Sequence, residues 1–156
     1  MLACSTTLNA GIAQDMTSFL SHVSEEFKQS EFILDQEIVG ESTMLEFFDM
    51  MSADSFDCLS DNQKELLTFD ISEEWKYKLK AFKEDNIQVW SKSFLKEINR
   101  GKKLKGDYAK LIRLSHPIIL GADAFIYLKT ASGNEFYYYR YKNKAWIKTC
   151  KYSFVN

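Results

Sequence analysis

Few residues in this sequence have side chains whose chemistry could support catalysis. Histidine occurs only at His22 and His116, which excludes a metal site built from several histidine ligands. Ser115 stands beside His116 as a candidate nucleophile next to a candidate general base. Adjacent residues of an extended segment point to opposite faces, however, so this serine and this histidine are not expected to hydrogen-bond as a catalytic pair. His22 lies within a helical pattern beside apolar residues and is expected to be structural.

Carboxylates are frequent, but their spacing does not mark an acid–base site. Three neighbouring pairs are Glu25/Glu26, Glu46/Asp49 and Glu73/Glu74. General acid–base catalysis needs two such groups held in a cleft with separated pKa values, and solvation at the surface explains these pairs better. Asp54, Asp57 and Asp61 crowd one segment as in a calcium loop, yet the glycine and the final glutamate of an EF-hand are missing. With no GxxxxGKS/T, GxGxxG or GxSxG motif, we predict no catalytic residue, no metal ligand and no cofactor.

The three cysteines, Cys4, Cys58 and Cys150, do not form a CxxC zinc or redox motif. If Cys4 is removed with a signal peptide or is lipidated, an even pair remains. Cys58 and Cys150 are then candidates for one disulfide in an oxidising compartment. Closing so long a loop stabilises a fold by about 4 kcal/mol in the chain-entropy model. Two buried free thiols are the alternative.

The N-terminal segment has the pattern of the end of a secretion signal. Residues 1–13 are apolar or small and uncharged, and Gly11 and Ala13 match the small-x-small pattern before a signal-peptidase site. We therefore predict that this segment is a signal-peptide remnant, that residues 14–156 form a single domain, and that the protein is periplasmic or secreted. A lipoprotein box with a lipid anchor at Cys4 is a second interpretation. An ordinary frayed N-terminus of a cytoplasmic protein is a third.

Length and composition indicate one packed globular domain. Of the 156 residues, 46% are hydrophobic and 15% aromatic, with one Pro and six Gly, and a chain of this size buries roughly 70% of its extended surface. No run reaches the ~20 apolar residues of a membrane-spanning helix. Residues 1–72 hold 14 acidic side chains against two lysines, and residues 73–156 hold 18 basic against 8 acidic. We interpret the two halves as facing each other within one domain, and we expect no nucleic-acid partner.

Apolar residues at helical spacing predict that the first half is mainly helical. The first helix is predicted over residues 15–29, with Asp15 placed to cap it. Its apolar stripe consists of Met16, Phe19, Leu20, Val23 and Phe27. Further helices are predicted after the capping box Thr43-x-x-Glu46, after Ser60, and from residue 72 to residue 98 as two helices or one broken helix.

The last third of the chain changes to strand patterns. Four strands are predicted over residues 116–120, 125–130, 135–141 and 146–152, because each is rich in aromatic and β-branched residues and turn residues separate them. Residues 32–39 favour an edge strand or an extended connector. The chain is therefore predicted to be an α+β domain whose N-terminal helices pack on a C-terminal antiparallel β-meander. In this order of elements it is also similar to nuclear-transport-factor-like cones, which is the alternative fold.

The third of these strands carries a cluster of tyrosines. Alternation places Tyr137, Tyr139 and Tyr141 on one face of the strand. The other face carries Phe136, Tyr138 and Arg140. One face is predicted to cover the helices and the other to be an exposed aromatic surface, and we single out the three alternating tyrosines 137, 139 and 141 as the candidate interaction surface. The alternative is that tyrosine hydroxyls reach solvent beside a half-covered sheet.

Several stretches share the pattern of a known group of proteins. A Ser-x-Pro-Ile stretch lies at Ser115–Ile118, and a Lys-x-Trp-x-Lys stretch lies at Lys144–Lys148. Further matching stretches are Leu59–Gln63, Ala124–Tyr127 and Phe136–Tyr139. In these features the chain resembles uncharacterised exported proteins of Bacteroidetes, in which a Ser-x-Pro-Ile strand leads into a sheet that ends in a Gly-Lys-Trp-Lys-like strand. Asn143 stands in place of that glycine. The resemblance implies export and no activity.

The absence of a catalytic constellation favours a non-enzymatic exported domain that binds a protein or a small ligand. One alternative is a small hydrolase that uses His116 with a carboxylate of the acidic half, which requires a pocket beside His116. Another is an immunity or inhibitor protein, because a small domain with an acidic N-terminal half suits a basic toxin. All three classes stay open at this point.

Overall fold

The computed structural model describes residues 5–40, 89–104, 106 and 108–154, together with the single residues 42, 43, 46, 58, 73, 76, 77 and 80. Its elements in chain order are helix α1 (Ser5–Gln29), strand β1 (Ile33–Leu34), helix α2 (Lys92–Ile98), a 3-10 turn (Tyr108–Lys110), and strands β2 (Leu111–Leu114), β3 (Ile118–Leu120), β4 (Asp123–Lys129), β5 (Asn134–Lys142) and β6 (Ala145–Phe154). The predicted α+β class is confirmed.

Helix α1 buries an apolar stripe that recurs every four residues. Phe19, Val23 and Phe27 are all buried, as the helical spacing predicts. The helix begins at Ser5, earlier than the predicted start at residue 15. The segment predicted as a signal remnant is therefore helical from Ser5 onward. At the other end the Lys102 ammonium donates to the carbonyl oxygen of Phe27, a favourable place for a cation at a helix C-terminus.

Six strands of the described chain form one sheet in the order β1-β2-β4-β5-β6, with β3 also paired to β4. All pairs are antiparallel except β1 with β2. Strands β3 to β6 correspond to the four predicted strands, and β1 corresponds to the predicted edge strand or connector. Strand β2 is additional to the predicted strands.

Strands β2 and β3 are two halves of one interrupted strand that runs along β4. The interruption is Ser115-His116-Pro117, where Pro117 has no amide hydrogen to donate to the ladder. The Ser115 N–H donates to the carbonyl of Tyr127 (2.9 Å), and the Ser115 hydroxyl accepts from the Tyr127 N–H (3.0 Å). The serine side chain thus supplies an acceptor where the ladder is broken.

One face of the sheet forms the main core together with α1 and α2. Phe19 packs edge-on against Tyr139 and Trp146, with ring centroids 5.2 and 5.1 Å away. Helix α2 is held beside β1 by Asn99, whose side-chain amide exchanges two hydrogen bonds of 2.8 Å with the backbone of Leu34. The buried side chains of this core include Val23, Phe27, Leu95, Ile98, Ile112, Ile126 and Leu128.

The opposite face of the sheet is also buried. Phe125 stacks on Phe136 (centroids 5.6 Å apart) and on Tyr138 (5.0 Å), and none of the three is more than 2% exposed. Cys150 pairs with Tyr138 across β5 and β6 and lies on the same face. The middle of the sheet therefore carries buried aromatic side chains on both faces.

Helix α2 confirms part of the helical prediction between residues 72 and 98. Ser91 caps it, because its hydroxyl accepts from the N–H of Phe94 (3.2 Å). The helices predicted after Thr43, after Ser60 and from Ser72 fall for the most part outside the described residues.

Candidate functional site

The position of Ser115 and His116 indicates a structural role rather than a catalytic one. Both residues are buried. The Ser115 hydroxyl donates to the backbone carbonyl of His116 (2.9 Å) while it accepts from Tyr127. Its single proton is therefore used by the backbone rather than by the imidazole, in line with the alternation expected of an extended segment. A serine nucleophile activated by its neighbouring histidine would need the opposite arrangement.

The imidazole of His116 is desolvated. The residue is 9% exposed, and burial lowers the pKa of its imidazole below the ordinary 6.5. The ring is therefore neutral at pH 7. A general base must reach the proton that it removes from a substrate, and a buried side chain does not offer that access. The hydrolase alternative accordingly receives little support from the position of His116.

A groove of about 290 Å³ lies at the end of β2 and β4, away from both histidines. It is lined by Asp35, Tyr108, Leu111, Arg113, Lys129, Thr130 and Ala131. Arg113 in this groove is already paired with two acidic residues. Its guanidinium lies 3.0 Å from the Asp35 carboxylate and 2.7 Å from the Glu37 carboxylate. The charge of Arg113 in this groove is therefore matched by two carboxylates, and Lys129 is the second cation of its lining.

A half-buried polar cluster joins α1 to β5 and β6. The Tyr139 hydroxyl donates to Glu26 Oε2 (3.0 Å), the Lys148 ammonium contacts the other Glu26 oxygen, and His22 Nε2 lies 3.7 Å from Oε2. Lys148 also lies 3.9 Å above the centre of the Tyr137 ring. Burial and the Glu26 carboxylate raise the pKa of Tyr139, which stays protonated as a donor. These groups satisfy one another and fasten the helix to the sheet.

The three tyrosines of the predicted interaction surface share one face of β5 but do not share exposure. Tyr137 is 5% exposed and Tyr139 is fully buried, whereas Tyr141 is 42% exposed. The prediction of one continuous exposed surface is corrected accordingly. The reason is that α1 lies on this face and covers Tyr139 with the ring of Phe19. Tyr141 stands at the rim, with its ring centroid 5.1 Å from that of Trp146.

Tyr141 belongs to the exposed end of the hairpin formed by β5 and β6. We call this end the hairpin tip and define it as Tyr141, Lys142, Asn143, Lys144 and Ile147. Strand β4 pairs with β5 only as far as Arg140, and beyond that residue the ladder continues with β6 alone. One further bond, from the Tyr141 N–H to the carbonyl of Ala122 (2.7 Å), ties the tip to the rest of the sheet.

The turn of the hairpin tip has an unusual residue at its second position. Asn143 has φ of 54° and Lys144 has φ of 64°, which is the backbone of a type I′ turn. Glycine is usual at the second position because a side chain is strained in the left-handed region. Here a lysine occupies it, so the turn carries a positive charge at some cost in backbone energy.

Side chains of two kinds are exposed at the hairpin tip. Tyr141 and Ile147 are apolar side chains with 42% and 49% exposure. Lys142 and Lys144 are exposed cations, and neither is paired with a carboxylate of the described residues. Sequence reasoning missed Ile147 and both lysines. The available signal was charge, because residues 136–156 hold five basic side chains and no acidic one.

The structure brings Cys58 and Cys150 together. Their sulfur atoms are in contact, and their Cα atoms are 6.0 Å apart, within the range that a disulfide spans. Cys150 is buried in β6, while Cys58 is exposed. Cys4, the predicted lipid-anchor site, lies outside the described residues.

Metal-binding clusters and membrane-spanning helices are both absent from the described ranges. There, no group of three or more His, Cys, Asp or Glu side chains is placed to hold a metal ion. No helix in those ranges has the length and apolar character needed to cross a bilayer. Asp54, Asp57 and Asp61, the loose calcium-loop pattern, lie outside the described residues.

Comparison with protein-family models, curated proteins and solved structures gives no match for this chain. The resemblances to exported proteins of Bacteroidetes and to nuclear-transport-factor-like cones therefore stay predictions.

Proposed function

We propose that this protein is a non-enzymatic binding domain that contacts its partner through the hairpin tip. The proposal depends on one observation: Tyr141 and Ile147 are exposed beside two lysines whose charges no described carboxylate neutralises. Tyrosine combines an apolar ring with a polar hydroxyl and is enriched where proteins make contacts.

The polar groups elsewhere in the described chain support binding over catalysis. The Ser115 hydroxyl bonds to the backbone, and the neutral His116 ring is buried. Glu26, Tyr139 and Lys148 bond to one another between helix and sheet. A catalytic group needs a functional atom that faces a cleft. Tyr141, Lys142, Lys144 and Ile147 of the hairpin tip are exposed and have no such structural bonds to other described side chains.

Site-specific photo-crosslinking in the native cell tests this proposal. A photoreactive phenylalanine analogue replaces Tyr141, which keeps an aromatic ring at the tip. The matched control carries the same analogue at Ser132, an exposed residue of the turn at the other end of β5. We expect an adduct, to a protein or to a lipid, from position 141 and none above background from position 132. Equal adduct formation at both positions, or none at 141, would exclude the hairpin tip as the contact surface.

We further propose that the mature protein is exported and is periplasmic or secreted. The uncharged small and apolar residues 1–13 support export. So does the meeting of Cys58 and Cys150, because a disulfide persists in oxidising compartments. The lipoprotein interpretation differs only in retaining Cys4 as a lipidated N-terminus.

Intact mass under non-reducing conditions tests export on protein purified from its native source. We expect a mature chain that starts near Gln14 and is lighter by two hydrogen atoms than the dithiol form. A chain that starts at Cys4 with added lipid mass would select the lipoprotein. A retained Met1 together with free thiols would place the protein in the cytoplasm and remove the proposal of export.

A further inference from the structure

We infer that the hairpin tip binds the surface of an anionic phospholipid bilayer. The inference rests on the proposed function and names its partner. Three features of the tip support it: the charge of Lys142 and Lys144, the exposure of Tyr141 and Ile147, and the small size of the turn.

The charge at the hairpin tip is positive and uncompensated. From residue 136 to residue 156 the chain has five basic side chains and no acidic one. Three of the five have acidic neighbours: Arg140 opposite Asp123, Lys148 with Glu26, and Lys151 with Glu135. Lys142 and Lys144 remain, one on each side of Asn143. An anionic lipid surface attracts each basic side chain that comes near it, by roughly fivefold in affinity.

The apolar side chains of the tip lie on both of its faces. Tyr141 pairs with Trp146 on the face of α1, whereas Ile147 pairs with Arg140 on the opposite face. Both Tyr141 and Ile147 are more than two-fifths exposed. Tyrosine is enriched at the level of lipid headgroups, and lysine stems lie along apolar surroundings while the ammonium stays in water. The tip is therefore apolar at its flanks and cationic at its turn.

The shape of the tip favours a membrane over a protein partner. A stable protein–protein interface takes roughly 20–30 residues from each side, whereas the hairpin tip has five residues around a two-residue turn. A bilayer needs no matching concave surface, because its headgroup region adapts to a small convex wedge. Lys144 fits the same interpretation, since it keeps a cation at the outermost position despite a φ of 64°.

Vesicle co-sedimentation of the full chain tests the inference. The probes are vesicles of pure phosphatidylcholine and of phosphatidylcholine with roughly one-third phosphatidylglycerol, at low salt. We expect binding to the anionic vesicles only, weakened at high salt. Lys142→Gln with Lys144→Gly is expected to reduce affinity by about 25-fold, from fivefold for each lysine. Glycine at position 144 suits the turn, so this variant keeps the fold.

The matched control removes the same charge at another site. Lys92→Gln with Lys96→Gln changes two exposed lysines of α2 and is expected to alter affinity less than threefold. Tyr141→Ser with Ile147→Ser should weaken binding at unchanged charge. Absence of binding to anionic vesicles, or equal losses in the tip variant and the α2 variant, would overturn the inference. A protein adduct from position 141 without vesicle binding would overturn it too, yet leave the hairpin tip as the contact surface.

Discussion

The base and the tip of the β5–β6 hairpin carry similar side chains, but these are paired with other side chains at the base and exposed at the tip. At the base, the Glu135 carboxylate contacts the Lys151 ammonium (2.5 Å) and accepts from the Tyr137 hydroxyl (2.5 Å). At the tip, Lys142 and Tyr141 are exposed, and no described carboxylate pairs with the lysine. Both ends use a lysine and a tyrosine, but at the base each polar group has a partner.

This contrast separates the residues that stabilise the fold from those that are free to contact something else. At the base the Glu135 side chain is only 20% exposed, so its carboxylate depends on its partners, because an unpaired buried group costs about 1–3 kcal/mol. At the tip, water satisfies the same groups, so changes there should affect binding more than stability.

Breaking the Cys58–Cys150 bond should lower stability most. It would close a loop across a sequence separation of 92 residues, for which the chain-entropy model gives about 4–5 kcal/mol. We expect reductant to lower the free energy of unfolding of the wild type by that amount in urea titrations. Cys58→Ser should start at the reduced value and should not respond to reductant. An identical wild-type midpoint with and without reductant would show that the bond is not formed.

Truncating Tyr139 should destabilise far more than truncating Tyr141. Tyr139→Ala removes a buried ring that packs on Phe19 and a hydroxyl that donates to Glu26. The expected loss in the free energy of unfolding is about 3–5 kcal/mol. Tyr141→Ala removes a ring that is 42% exposed, with an expected cost below about 1 kcal/mol. Chemical denaturation of both variants measures the difference. Equal losses of stability would mean that the buried part of β5 under α1 and the exposed hairpin tip contribute alike to the fold.

The placement of these tyrosines shows what local sequence patterns could and could not predict. Alternation along the strand correctly put Tyr137, Tyr139 and Tyr141 on one face, because that depends only on backbone geometry. Which face is covered depends on where α1 docks, and docking is set by contacts such as Phe19 with Tyr139 across 120 positions of sequence. The predicted exposure was therefore wrong for the two inner tyrosines.

The helices and strands show the same difference between local patterns and contacts between distant residues. Helix α1 and strands β4 to β6 were predictable because their apolar residues repeat at the helical or strand period over several turns or residues. The short strand β3 was predictable from its β-branched residues before the turn at Gly121. Strand β1 has two residues and β2 has four, too few for a period to be evident, and their pairing is fixed by distant partners such as Asn99. The hairpin tip was harder still to predict from the sequence, because Lys144 occupies a turn position where glycine is usual.

The Glu135 cluster should make part of the stability depend on pH. Burial alone would raise the pKa of Glu135, but hydrogen bonds from Lys151, Tyr137 and Ser153 outweigh burial and hold the pKa below its usual 4.5. A carboxylate with a depressed folded-state pKa contributes stability above the unfolded pKa, and that contribution is lost as the pH falls through the folded pKa.

We therefore expect Glu135→Gln to cost about 1–2 kcal/mol at pH 7 and progressively less as the pH falls below 4.5. Urea unfolding from pH 7 to pH 3 measures this. Glu97→Gln is the control, because Glu97 is 45% exposed and pairs with Arg100 at the surface; its expected cost is below about 0.5 kcal/mol. A Glu135 effect that stays constant over this pH range would contradict the ion-pair explanation.

Lys144→Gly should stabilise the protein slightly, by about 0.5–1 kcal/mol. The residue has φ of 64°, a conformation that glycine adopts without the strain of a side chain. Lys142→Gly is the control for the same change in chemistry, because Lys142 is the last residue of β5, where glycine lowers stability by about 0.5–1 kcal/mol. Opposite signs for two lysines two positions apart, measured by urea unfolding, would show that the turn carries its cation at the expense of stability. Destabilisation by both substitutions would mean that Lys144 contributes to the fold, and the distinction between a stabilising base and a contact-making tip would fail at its outermost residue.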